Sequence, residues 1–111
     1  MRKYGRLSHA GDFDKVYKNA KKWHCEVASV YFLPADKLKF APIASKKIGN
    51  AVVRNKAKRR LRTMFDSLCD KSEKGHYIMI AKDALPNVKY EKALKNIRWA
   101  LGKIGSLDVK I

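Results

Sequence analysis

Ser45-Lys46-Lys47-Ile48-Gly49-Asn50-Ala51-Val52-Val53-Arg54-Asn55-Lys56-Ala57-Lys58-Arg59-Arg60-Leu61-Arg62-Thr63-Met64-Phe65 is the stretch around which the remaining residues arrange themselves. Between Asp36 and Asp66 the chain carries ten lysines and arginines and no acid. Such a block repels itself unless a polyanion lies beside it, and a nucleic acid is the obvious polyanion. Val53, Ala57, Leu61, Met64, Phe65 and Leu68 recur at three- and four-residue steps, so they share one helical face and point to the core. At about 100° per residue, Asn55, Lys58, Arg59 and Arg62 fall roughly opposite that stripe, and Arg54 and Arg60 flank it. Asn50 is the expected N-cap, and Val53 at the third helical position leaves no capping box. Arg54 so near the helix start opposes the macrodipole, a small local cost that suggests selection for something besides stability.

Outward from this helix, 111 residues are enough for one domain with a modest core, and 46% hydrophobic content argues against disorder despite a formal charge of +16. Cys25 and Cys69 stand far apart and form no C-x-x-C pair, which fits a reducing cytoplasm and buried thiols. The residues from Met1 to Leu7 lack the apolar run of a secretory signal, and the apolar stretch near Val27–Leu33 is too short to span a bilayer.

The pattern predicts a first helix from Ser8 or His9 to Ala20, with Phe13, Val16, Tyr17 and Ala20 on one face. Aromatics so spaced usually pack in a core; base stacking is the other reading. Lys21–His24 reads as a polar connection, Cys25–Leu33 as a strand, and Pro34-Ala35-Asp36 as a turn. Leu38–Ala44 reads as the second strand of a hairpin, with Pro42 demoting it locally to an edge or a bulge because proline has no donor. The basic helix should fade between Asp70 and Gly75. His76–Ala81 has the continuous apolar run of a strand buried on both faces, and Lys89–Gly102 carries the stripe of a last helix before a tail that begins at Gly105. The order α, β, β, α, β, α is that of an α+β sandwich of helices on a small sheet, with no repeat, linker or second domain.

Self-contained chemistry is hard to find in this chain. His9, His24 and His76 are scattered, no carboxylate pair or His-Cys set has metal-ligand or acid/base spacing, and there is no phosphate-binding glycine loop or nucleophile motif. The residues read as those of a binder, with no catalytic and no metal-ligating set.

The run from Ser45 to Arg62 resembles the signature of the bacterial ribonuclease P protein family, S-K-K-x-G-N-A-V-x-R-N-R-x-K-R. Arg6-Leu7, Phe13-Asp14-Lys15-Val16-Tyr17 and Tyr77-Ile78-Met79-Ile80-Ala81 fall where the family has similar segments, so the resemblance covers nearly the whole chain. It implies a single RNA-binding domain over residues 1–111, a sandwich like the second domain of a small-subunit ribosomal protein, with the basic helix in a left-handed crossover between parallel strands. That hand departs from the usual right-handed rule. It implies a cytoplasmic subunit, monomeric in the holoenzyme, that binds a catalytic RNA and precursor tRNA and promotes removal of the 5′ leader. The hydrolysis would then belong to the RNA and to Mg2+ held mainly by it. Lys46, Lys47, Arg54, Asn55, Lys56, Lys58, Arg59, Arg60 and Arg62 would face the catalytic RNA, and Phe13, Tyr17 and Tyr31 would line a cleft for the single-stranded leader. The chain departs from the family pattern at Lys56, which keeps the charge of the usual arginine without its planar fork. It departs also at Pro42, and at Tyr17, where phenylalanine is common and tyrosine can still stack. The alternative is a structural ribosomal or RNA-packaging protein without a substrate, which would use the basic helix and need no aromatic cleft. An autonomous nuclease is disfavoured for want of a carboxylate cluster.

Overall fold

Five strands and three helices follow the chain as β1 (Gly5–Arg6), α1 (Ala10–Asn19), β2 (Lys21–His24), β3 (Ala28–Pro34), β4 (Lys39–Ile43), α2 (Ala51–Leu68), β5 (Gly75–Ala81) and α3 (Tyr90–Ile104). This computed structural model describes residues 3–106. The strands form one mixed sheet in the order β1-β4-β5-β3-β2, with β4 parallel to both β1 and β5, and β3 antiparallel to β5 and β2. The α+β reading stands. The basic helix α2 is the crossover between the adjacent parallel strands β4 and β5, a connection of the length that parallel pairing demands.

Two strands lie where the sequence predicts none. Lys21–His24, read as a polar connection, is the edge strand β2. Its half-buried Trp23 lies between exposed neighbours, Lys22 and His24, so the segment buries one face only and four residues show too little of a period-two pattern. Cys25 belongs instead to the turn that joins β2 to β3, closed by its amide donating to the Ala28 carbonyl at 2.9 Å. Gly5–Arg6 pairs with Lys39 and Phe40 and ends there. The amides of Gly5 and Leu7 donate to the carbonyls of Leu38 and Phe40, so alternate residues of β4 turn their polar groups towards β1. Pro42 continues that alternation one step beyond the last bond, where β1 offers it no partner. Its missing donor is therefore harmless, and β4 is an edge at this point although not in the strand order.

The two faces of the sheet are covered unequally. Val30 and Phe32 of β3, Phe40 of β4, and Tyr77 and Met79 of β5 join Leu61, Met64 and Phe65 of α2 and Ala93, Ile97 and Leu101 of α3 in the main core. Phe65 stacks on Phe40 with centroids 4.3 Å apart and tilts against Tyr77 at 5.0 Å, which fixes the rotation of α2 about its axis. On the other face, α1 alone packs down, burying Val16 against Leu7, Ala41 and Ile78. Ser29, Tyr31 and Leu33 of β3 stay half-exposed on that side while Ala28, Val30 and Phe32 are buried on the other. One ten-residue helix is too narrow to cover five strands, and the sheet surface beside it is left open. Cys25 and Cys69 are free and buried.

Two glycines are required by their surroundings. Gly49, at φ 153°, ends the short 3-10 turn Lys46–Ile48, and a Cβ there would lie 3.0 Å from Val53 Cβ. Asn50 then caps α2, its Oδ1 accepting from the Val53 amide at 3.1 Å as the sequence predicts. Gly75 opens β5 where a Cβ would meet both Leu33 O and Phe32 Cε1 at 2.5 Å. Because one of those atoms is backbone, Gly75→Ala is expected to destabilise the fold by about 1–3 kcal/mol, read as a lower midpoint of thermal unfolding; an unchanged midpoint would contradict the packing described.

Candidate nucleic-acid interface

With α2 clamped through Phe65, its cations take definite places. Lys46 and Lys47 are exposed on the turn that enters the helix, and Asn55, Lys56 and Arg59 are exposed along it. Arg54, Lys58 and Arg62 are half-buried. They follow one another at four-residue steps on the flank that faces β4. Lys58 and Arg62 thus lean towards the sheet edge instead of pointing straight out, as their place on an isolated helix suggests. Arg60, on the opposite flank, donates from Nη1 to the Leu85 carbonyl oxygen at 2.5 Å and ties α2 to the turn Leu85–Asn87. The buried Nε of Arg54 has no hydrogen-bond partner among the described residues.

Lys58 and Arg62 form one wall of a pocket of about 310 Å³, which Arg6, Phe13 and Pro42 also line. The pocket lies where β1 stops and β4 has no further partner on that side, so it joins the cationic flank of α2 to the side of the sheet that α1 covers. Sequence reasoning did not find Arg6 and Pro42 as members of this site; β1 is two residues long, and its parallel partner lies far along the chain. At the pocket rim Tyr4 packs edge-on to Phe40 and Phe65 and donates to Asp66 Oδ1 at 2.6 Å, while Lys3 Nζ pairs with Asp70. The acids at the end of α2 are thereby engaged, and the middle of the helix carries unopposed positive charge.

Phe13, Tyr17 and Tyr31 come together as one aromatic group. Phe13 and Tyr17 lie 6.3 Å apart on α1, and Tyr17 meets the ring of Tyr31 on β3 edge-on at 5.3 Å. Phe13 and Tyr31 pack at the margin of the smaller core, whereas Tyr17 is 44% exposed. Phe13 thus supports the smaller core, and Tyr17 presents part of its ring to solvent. Partial burial pushes the Tyr17 phenol above its ordinary pKa, with Tyr31 acting in the same direction.

The chain matches the ribonuclease P family model over residues 1–105. It belongs to the ribonuclease P protein family. It is 33% identical to the ribonuclease P protein component of Coprothermobacter proteolyticus, covering 93% of this chain and 92% of that one. The corresponding component of Nitratiruptor is also 33% identical, over 84% of this chain and 85% of that one. Among solved structures, the Staphylococcus aureus RNase P protein superposes with a TM-score of 0.83 at 25% identity, covering 96% of this chain and all of that one. The Thermotoga maritima RNase P protein shares the fold, with a TM-score of 0.78 at 24% identity over 88% of this chain and 96% of that one. The run Ser45–Arg62, which resembles the family signature, enters α2 through the turn Lys46–Ile48 and forms its first twelve residues.

An anion beside α2 should relieve the repulsion among Arg54, Lys58, Arg62 and their neighbours and bind the native state preferentially. At fixed ionic strength, sulfate should therefore raise the thermal midpoint above its value in chloride. Equal midpoints would count against an anion site.

Proposed function

We propose that this chain is the protein subunit of a bacterial ribonuclease P, binding the catalytic RNA through α2 and the 5′ leader of precursor tRNA through the cleft beside α1. The observation that carries the reading is the junction of two kinds of surface within the ribonuclease P fold. Cations on Lys58 and Arg62 meet the aromatic group of α1 across the Phe13 pocket. Lys46, Lys47, Arg54, Asn55, Lys56, Arg59 and Arg62 supply phosphate contacts along duplex RNA, which give affinity that is sensitive to salt and indifferent to sequence. Arg60 contributes charge from its tether at Leu85. Tyr17, with Phe13 and Tyr31 behind it, offers a stacking platform for an unpaired base. A platform of this kind tolerates any base, as a subunit that serves many precursors requires.

The protein binds and positions, and the catalytic groups lie in the RNA. Among the described residues no three His, Cys, Asp or Glu side chains converge as a metal site. In this reading the Mg2+ of the reaction is held mainly by the RNA, as the family pattern implies. The free thiols of Cys25 and Cys69 suit a cytoplasmic setting. No helix among the described residues is long and apolar enough to cross a membrane.

Assaying precursor tRNA with protein alone, RNA alone and both together tests the reading. Cleavage at the mature 5′ end is expected with the RNA present and strengthened by the protein. Cleavage by nuclease-clean protein alone, abolished by a point substitution in this chain, would overturn it, and no effect of the protein on the RNA would favour an RNA-packaging role.

A further inference from the structure

The chain's two tryptophans meet at the edge of the sheet remote from the Phe13 pocket. Trp23 of β2 and Trp99 of α3 pack edge to face with centroids 5.4 Å apart, and the flexible Lys103 side chain places its Nζ over the Trp99 ring, 5.4 Å from its centre, as a cation–π contact that a base would displace or share. Trp99 is 52% exposed, which is costly for the largest apolar side chain and does nothing for the main core beneath. The Trp23 indole N–H is buried and has no hydrogen-bond partner among the described residues. The surroundings are mostly cationic: Lys21, Lys95, Arg98 and Lys103 are exposed, and the nearby acid Glu26 is paired with Lys92 at 3.9 Å. A flat exposed indole within a field of lysines and arginines is the chemistry that holds an unpaired nucleotide, with stacking on the base and charge beside its phosphate.

The register of the sheet connects this patch to the aromatic cleft. Tyr31 is paired with Lys22, so both side chains stand on the half-open face, and Trp23, the next residue, turns to the opposite face beneath α3. Since β2 is the last strand of the sheet, the open face that carries Tyr31 and Lys22 and the face that carries Trp23 and Trp99 meet at its edge. The exposed lysines of β2 discourage this edge from pairing with another strand and leave it positively charged.

We infer that Trp99, backed by Trp23 and flanked by Lys103, stacks a leader nucleotide upstream of those held at Tyr17 and Tyr31. The inference rests on the leader-cleft reading above. Its test uses the reconstituted holoenzyme with mature tRNA and with precursors carrying leaders of about 4 and about 12 nucleotides, a span of single-strand site sizes. Because both tryptophans of the chain lie in this patch, intrinsic tryptophan fluorescence reports on it alone. The long leader should change that fluorescence and the short one should not. Trp99→Leu, which keeps an apolar cover over Trp23, should weaken binding of the long-leader precursor about five- to tenfold and leave the other two RNAs unchanged; Trp99→Tyr should restore most of the loss. Equal weakening for all three RNAs would assign the patch to the catalytic RNA and overturn the inference, as would no weakening at all. Tyr17→Ala separates the two levels: if it fails to reduce the preference for precursor over mature tRNA, the leader cleft itself is wrong, whatever Trp99 does.

Discussion

Replacing Arg59 and Arg62 together by alanine is expected to weaken binding to the catalytic RNA by about 1.5–3 kcal/mol for each charged hydrogen bond lost to a phosphate. The two side chains sit differently. Arg59 is exposed, and half-buried Arg62 lines the pocket with Arg6. Neither belongs to the apolar stripe that docks α2, so the fold should survive, and circular dichroism melts should show it. Loss of phosphate contacts has a second signature. The slope of log K against log salt should flatten by about one unit for each duplex phosphate no longer neutralised. A double variant with unchanged affinity and unchanged slope would show that α2 is not the surface applied to duplex RNA.

Phe13→Ala with Tyr17→Ala is expected to act on the other surface. It should leave assembly with the catalytic RNA nearly intact and weaken capture of leader-bearing precursor by roughly 1–3 kcal/mol for each base that loses its platform. Mature tRNA, having no leader, should be indifferent. Phe13 packs on the smaller core, so the double variant will lose some stability, and Tyr17→Ala alone is the cleaner probe because its ring is the more exposed of the two. Undiminished preference for precursor in folded Tyr17→Ala would sink the leader-cleft reading.

The helix that carries the cations was legible because its apolar stripe obeys one period for five turns, and its length forces the register of everything on it. Its cap at Asn50 and the buried strand Gly75–Ala81 were legible for similar local reasons. Which flank of α2 meets the rest of the site was not. It depends on Phe65 docking between Phe40 and Tyr77, a tertiary choice that turns Lys58 and Arg62 towards β4 and Arg60 towards Leu85. Arg60 shows the limit well: a cation in a basic helix reads as RNA-facing until a backbone carbonyl is found beside it. β2 escaped notice because Lys21-Lys22-Trp23-His24 buries a single side chain, and that burial is supplied by α3, whose sequence lies far away. The pocket at Pro42 was half legible. Proline announced an unpaired edge, but only the early end of β1 made that edge a wall of the site.

The central claim is that the protein lets the holoenzyme distinguish precursor from mature tRNA by holding the leader. Equilibrium affinities of both RNAs for the catalytic RNA, measured with and without this protein, test it most directly. Addition of the protein should tighten precursor binding and leave mature tRNA nearly unchanged. Equal tightening of both, or of neither, would contradict the account.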